Sequence, residues 1–98
     1  MNYAQFETED RRLVILRALE KAAQYRANAL LLRRFAEAVG HVVSTDKLAG
    51  DLAWLAEQGL VTTQVDEGIT TATLTQRGGD VATGRAQVPG VARPQPGF

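Results

Sequence analysis

Apolar residues recur along this chain with two periods, and the change of period divides it into elements. Between Thr8 and Gln24, the residues Ile15, Leu16, Leu19, Ala22 and Ala23 share one stripe at about 100° per residue, with Leu13 at its edge. This predicts a first helix. Thr8 is its expected N-cap, and Glu9 and Asp10 then occupy the first turn, where the helix macrodipole favours negative charge. Val14 and Ala18 point away from the stripe, one turn apart. Two readings stand for this surplus of apolar surface: a wide buried face, or a dimer contact joined by Tyr3 and Phe6.

The stretch Tyr25-Arg26-Ala27-Asn28 reads as a turn that ends in an N-cap, Asn28. A second helix is expected over 29–39, with Leu31, Phe35, Ala38 and Val39 inward, Arg33 and Glu37 outward as an i,i+4 pair, and Gly40 as terminator. Ser44 is the N-cap of a third helix over 45–58. Leu48, Leu52 and Leu55 form its buried seam, Ala49 and Ala56 lie beside it, and Gly59 stops it. The period then drops to two. Leu60–Val65 and Ile69–Leu74 are β-branched runs around Asp66-Glu67-Gly68, which predicts a hairpin with a three-residue loop. Thr75 caps a short fourth helix over 76–85, weakened by its glycines. Residues 1–86 make one domain, and 87–98 form a Pro/Gly-rich tail. The tail is either mobile or laid extended across a surface, in one version as a strap on a second subunit with Phe98 as its plug.

Helix, helix, turn, helix, hairpin, helix is the order of a winged helix-turn-helix domain, an α+β and mostly helical fold. Particular strings support it. "DLAWLAEQGLV" (Asp51 to Val61) resembles a winged-helix recognition helix running into the first wing strand. "ATLTQRGGDVATG" (Ala72 to Gly84) resembles the second wing strand entering the closing helix of ArsR- and PadR-like regulators. The longer pattern "YRAN…GHVVSTDKLAGDLAWLAEQGLV…LTQRGGDVATG…VPGV.RPQPG" resembles a family of small winged-helix proteins of Mu-like phages and prophages, often labelled ArsR-like transcriptional regulators. The resemblance implies a DNA-binding regulator. The fold alone hosts many functions, so the surface chemistry has to be read separately.

That chemistry is ambivalent. The 98 residues carry 11 Lys+Arg against 11 Asp+Glu, which argues against a general nucleic-acid coat or a polybasic membrane binder. The charge is uneven: residues 1–43 hold seven basic and five acidic groups, 44–68 one against five, and 69–98 three against one. The face expected opposite the leucine seam offers Thr45, Asp46, Lys47, Gly50, Asp51, Trp54 and Glu57, without the Arg, Asn or Gln that usually reads base edges. Asp66 and Glu67 at the wing tip would repel phosphate. For DNA, the candidate contacts are Ser44, Thr45 and Lys47, with Arg26 and Arg33 gripping backbone phosphate; the alternative is that these arginines, like Arg11, Arg12, Arg17 and Arg34, are ordinary solvated charges.

A rival reading is a non-enzymatic phage protein–protein interaction module, for assembly or packaging. Its anchor would be Trp54, with Asp51 and Glu57 facing a basic partner. The alternative for Trp54 is packing under the wing or against the first helix. Homodimerisation through Tyr3, Phe6, Val14 and Ala18, together with the C-terminal segment, is expected. Cysteine is absent and His41 is the single histidine, so no metal, cofactor or catalytic residue is expected, and His41 should pack or hydrogen-bond in its turn. No apolar run nears the roughly 20 residues of a membrane span, and no secretory leader is visible, which suggests a soluble cytoplasmic protein.

Overall fold

The computed structural model describes residues 2–95. Four helices and a three-stranded antiparallel sheet follow one another as α1 (Tyr3–Lys21), β1 (Arg26–Asn28), α2 (Ala29–Ala38), α3 (Thr45–Glu57), β2 (Val61–Asp66), β3 (Ile69–Leu74) and α4 (Gln76–Ala82). The sheet order is β1-β3-β2, so the wing hairpin carries β1 on its inner edge. None of the helices among the described residues is long and apolar enough to cross a membrane.

Side-chain caps set the helix starts. The Asn2 side chain accepts the Gln5 amide at 2.9 Å, so α1 begins five residues before the expected start at Thr8. Thr8 is instead a mid-helix residue whose hydroxyl donates to the Ala4 carbonyl at 2.9 Å. Asn28 and Ser44 cap α2 and α3 as expected, accepting the amides of Leu31 and Lys47. Thr75 caps α4 by accepting from the Gly78 amide, and its hydroxyl donates to the Gly59 carbonyl at 2.7 Å, tying the start of α4 to the end of α3.

The four residues expected as a turn include a strand. A 3₁₀ turn over Ala23–Tyr25 ends α1 early, with Gln24 and Tyr25 both at φ 58°. β1 then pairs with β3, placing Ala27 against Ala72. That pairing fixes the rotation of α2, because Asn28 is both the last residue of β1 and the cap of the helix. The consequence corrects the expected stripe: Leu32 and Ala36 are the buried residues of α2, while Leu31, Phe35, Ala38 and Val39 face solvent. The wing also differs. Asp66 pairs with Ile69, leaving the two-residue loop Glu67-Gly68, with φ of 53° and 79°. Positive φ at both positions suits the right-handed twist of a tight hairpin.

Leu13, Ile15, Leu16 and Leu19 of α1, Leu48, Leu52 and Leu55 of α3, Leu60 just before β2, and Val61 and Ala72 of the sheet make one core. Val81 and Ala82 of α4 close one side. Val88 and Val91 belong to the same core, at 5% and 8% exposure. The segment after α4 is therefore laid along its own chain's α1, where the Ala92 amide donates to the Glu9 carbonyl at 3.2 Å. A strap across a second subunit is not what the described residues form; Phe98, its expected plug, lies outside them.

Gly78 sits where α4 passes over the end of α3. A Cβ there would stand 2.0 Å from the Leu60 carbonyl oxygen, whereas one at Gly79 would meet only Leu74 Cδ2 at 3.7 Å. Gly78→Ala is expected to lower stability by about 2–3 kcal/mol through forced separation of two backbones. Gly79→Ala should be neutral or stabilising by up to about 1 kcal/mol. Urea titration of the two variants checks the contrast.

Candidate nucleic-acid interface

The outward face of α3 follows from what α1 takes inward. Arg11 stands four residues before Ile15 on the buried stripe of α1, and Asp51 lies between Leu48 and Leu55 on that of α3. The two meet in the interior at 4% and 5% exposure. Arg11 Nε donates to Asp51 Oδ2, and Arg11 Nη2 donates to Asp51 Oδ1 at 3.0 Å, a two-pronged pair. The hydrogen bond to Asp51 raises the Arg11 pKa further above its ordinary value. Asp51 is thus not on the exposed face, which corrects the expected row of three carboxylates. It belongs to the leucine seam by spacing, and α1 neutralises it.

Trp54 is half-buried rather than a free anchor. The Arg12 guanidinium carbon lies 3.8 Å from the centre of its ring. On the same ring rests Gly90, where an added Cβ would come within 2.7 Å of Trp54, and Arg12 Nη1 donates to the Gly90 carbonyl at 2.9 Å. Burial lowers the Arg12 pKa, although the residue remains a cation. Of the expected partner-binding trio Trp54, Asp51 and Glu57, only Glu57 is exposed. Packing against α1, the alternative reading for Trp54, is what the geometry shows, with the C-terminal segment as an added cover.

What α3 leaves in solvent is short and mostly uncharged: Thr45, Ala49, Gly50 and Ala53, with Asp46 and Lys47 at the start and Glu57 at the end. Beside it, a groove of about 300 Å³ runs between α2, α3 and the wing, lined by Ala29, Leu30, Arg33, Thr45, Ala49 and the wing residues Gly68 to Thr70. Arg33 is half-buried in its wall, and its Nε has no hydrogen-bond partner. The structure therefore brings Arg33 together with Thr45, and Ser44 supplies the cap at that helix start. Lys47 lines a different crevice, with Glu7, Arg11 and His41. Arg26 pairs with Thr73, at the end of β1 away from the wing tip, and is not part of the groove. Asp66 and Glu67 are exposed at the wing. His41 hydrogen-bonds through Nε2 to Asp10 Oδ2 at 2.7 Å, so it pins the α2–α3 connection to α1.

The expected dimer residues also separate. Tyr3 and Phe6 are exposed at 76% and 57%. Val14 is half-buried in a crevice that Arg93 and Gln95 help to line, and Ala18 packs against the core. The C-terminal segment lies beside α1 at Glu9, Arg12 and Val14.

Residues missed by the sequence reading are Arg11, Arg12 and Gly90. A signal for the first existed: Arg11 and Asp51 are opposite charges, each on an apolar stripe at i,i+4 spacing. The Gly90 contact has no local signature, because it joins residues far apart in the chain.

Helix order, sheet order and an exposed third helix beside a hairpin define a winged-helix domain. Solved structures agree. The complex structure of hsRosR-S1 matches with TM-score 0.60 and 27% identity, over 70% of this chain and 61% of that one, so the match spans less than two thirds of its length. The complex structure of hsRosR-S4 matches with TM-score 0.63 and 25% identity, over 81% and 70%. No protein-family profile matches the chain. Among whole-protein relatives, the uncharacterized protein gp26 of Escherichia phage Mu is 53% identical over 89 residues, covering 91% of this chain and 92% of gp26. The chain belongs to the gp26 family. An uncharacterized protein of Haemophilus influenzae Rd is 38% identical over 78 residues, covering 79% and 76%.

Two substitutions check this account of α3. Asp51→Ala leaves a buried guanidinium without its counter-charge and is expected to cost about 3–5 kcal/mol by chemical denaturation. Trp54→Ala should cost about 2–3 kcal/mol, since the ring is half-buried. It should also speed amide exchange at Ala92, whose hydrogen bond to Glu9 depends on the segment that Trp54 holds.

Proposed function

We propose that this chain is a DNA-binding transcriptional regulator of phage or prophage type, non-enzymatic and cytoplasmic, which meets duplex DNA through the start of α3 and the groove beside it. The observation that carries this reading is Arg33, a half-buried cation in the wall of the groove that Thr45 also lines, at the start of α3. A phosphate in the groove would meet the positive charge of that guanidinium, and the exposed, capped N-terminus of α3 adds a favourable dipole. The likeness in fold to hsRosR-S1 and hsRosR-S4 supports the winged-helix frame of this reading.

The chemistry narrows the mode of contact. With Asp51 neutralised by Arg11, the middle of the exposed α3 face is Ala49, Gly50 and Ala53. Such small side chains admit close approach to a groove wall and suit apolar contact with thymine methyl groups. Asp66 and Glu67 keep the wing tip off phosphate, so contact falls to α2 and α3 rather than to the wing. Arg26 and Lys47 contribute positive field from outside the groove. The regulator would be ArsR-like in element order but without metal-sensing cysteines. The rival reading as an assembly or packaging module loses its specific surface, because Asp51 is buried and Trp54 is covered.

Random-site selection followed by fluorescence anisotropy at about 50 mM salt tests the proposal. Arg33→Ala is expected to weaken binding and to reduce the slope of log K against log salt by about 0.9, the value of one phosphate contact. Lys47→Ala should weaken binding through the field. Duplex affinity that never rises above the nonspecific range would overturn the regulator reading.

A further inference from the structure

We propose that the cleft between the end of α1, the end of β3 and α4 binds a small zwitterion with one surplus positive charge, the chemistry of a basic amino acid. The cleft has a volume of about 470 Å³, and its lining includes Glu20, Tyr25, Leu74, Asp80 and Arg85. Small-molecule sites on proteins occupy about 300–1,000 Å³. α3 contributes no residue to the cleft, so the inference does not rest on DNA binding.

The charges decide the class of ligand. Glu20, on the last turn of α1, and Asp80, on α4, are both half-buried. Arg85 follows α4, and its amide donates to the Asp80 carbonyl at 2.8 Å, so the two residues are neighbours through the backbone. Their charged ends nevertheless stay apart: among the described residues, Glu20, Asp80 and Arg85 have no side-chain hydrogen bond or ion pair. Opposite charges that line one cleft without neutralising each other leave both signs open to a ligand that carries both. Two carboxylates against one guanidinium leave one negative charge in excess, which a molecule with two ammonium groups and one carboxylate balances. A planar guanidinium takes a carboxylate in a two-pronged bond, and a carboxylate accepts from an ammonium. Leu74 and the Tyr25 ring offer apolar wall for the methylene chain between the charges. The turn that sets Tyr25 at this wall is strained: Gln24 and Tyr25 both have φ 58°, in the left-handed region, and such strain gathers at ligand clamps.

Titration of the isotope-labelled full chain with L-lysine, followed through amide chemical shifts, tests it. Saturable shifts are expected at Tyr25, Asp80 and Arg85, with α3 unmoved. Glu20→Gln and Asp80→Asn should each raise the lysine Kd by about 10-fold, the loss of one charge-assisted hydrogen bond. Cadaverine has the two ammonium groups without the carboxylate and should bind about 10-fold more weakly than lysine. Arg85→Gln should remove that difference. Shifts that grow linearly with lysine through the millimolar range overturn the proposal. So does cadaverine that binds the wild type as tightly as lysine, a comparison that stands whatever the stability of the variants. Glutamate that saturates the same amides as tightly as lysine also overturns it.

Discussion

The buried pair of Arg11 and Asp51 is the constraint on which the arrangement of helices depends. Each residue sits among leucines on the inward stripe of its own helix, and neither charge can be left alone in the interior without a penalty of several kcal/mol. α1 and α3 therefore have to meet in the one register that brings the two together. Such a pair adds less to net stability than an apolar contact of the same volume, but it excludes neighbouring registers, in which both charges would be orphaned. The leucine seams supply the burial energy, and the ion pair selects the alignment.

That alignment determines what α3 shows. With Asp51 inward, the helix presents small and hydroxyl-bearing residues at its centre and charges only toward its ends. The adjacent arginine has the complementary role on the surface. Arg12 stacks on Trp54 and hydrogen-bonds the Gly90 carbonyl, so one cation fastens both the tryptophan and the returning C-terminal segment. Two consecutive arginines on α1 thus do different work. One is desolvated and paired with a carboxylate, and the other is laid against an aromatic face where a planar guanidinium suits the geometry.

Most of the helical scaffold was legible from the residues themselves. Asn28, Ser44 and Thr75 are strong caps next to apolar periodicity, and all three cap as expected. The Leu48, Leu52 and Leu55 seam is buried because nothing nearby competes for that face. Errors arose where a distant partner decided the outcome. β1 is only three residues long and owes its existence to pairing with β3, so no local pattern marks it as a strand. Its pairing then set the rotation of α2, and a stripe that by period alone had to be core became surface. Asn2 and Thr8 are both competent caps, and the earlier one won because the residues between them continue the helix. At the candidate site, Arg33, Thr45 and Ser44 were legible, but the separation of Lys47 and Arg26 from them was not, since it depends on the crossing of α2 and α3 and on the register of β1.

The outward stripe of α2 has a physical meaning beyond a misread face. Amphipathic period in a sequence reports that a face is selected for burial; it does not say against what. In α1 and α3 the partner is the chain's own core, and the pattern and the burial coincide. In α2 the sheet pairing imposes a rotation that buries Leu32 and Ala36, two residues on the edge of the pattern, and leaves its centre in water. If core packing alone had shaped this helix, the strongest apolar positions would face inward and the outer ones would be polar. The retention of Leu31, Phe35 and Val39 on the outside leaves α2 with an apolar face that the core of its own chain does not cover.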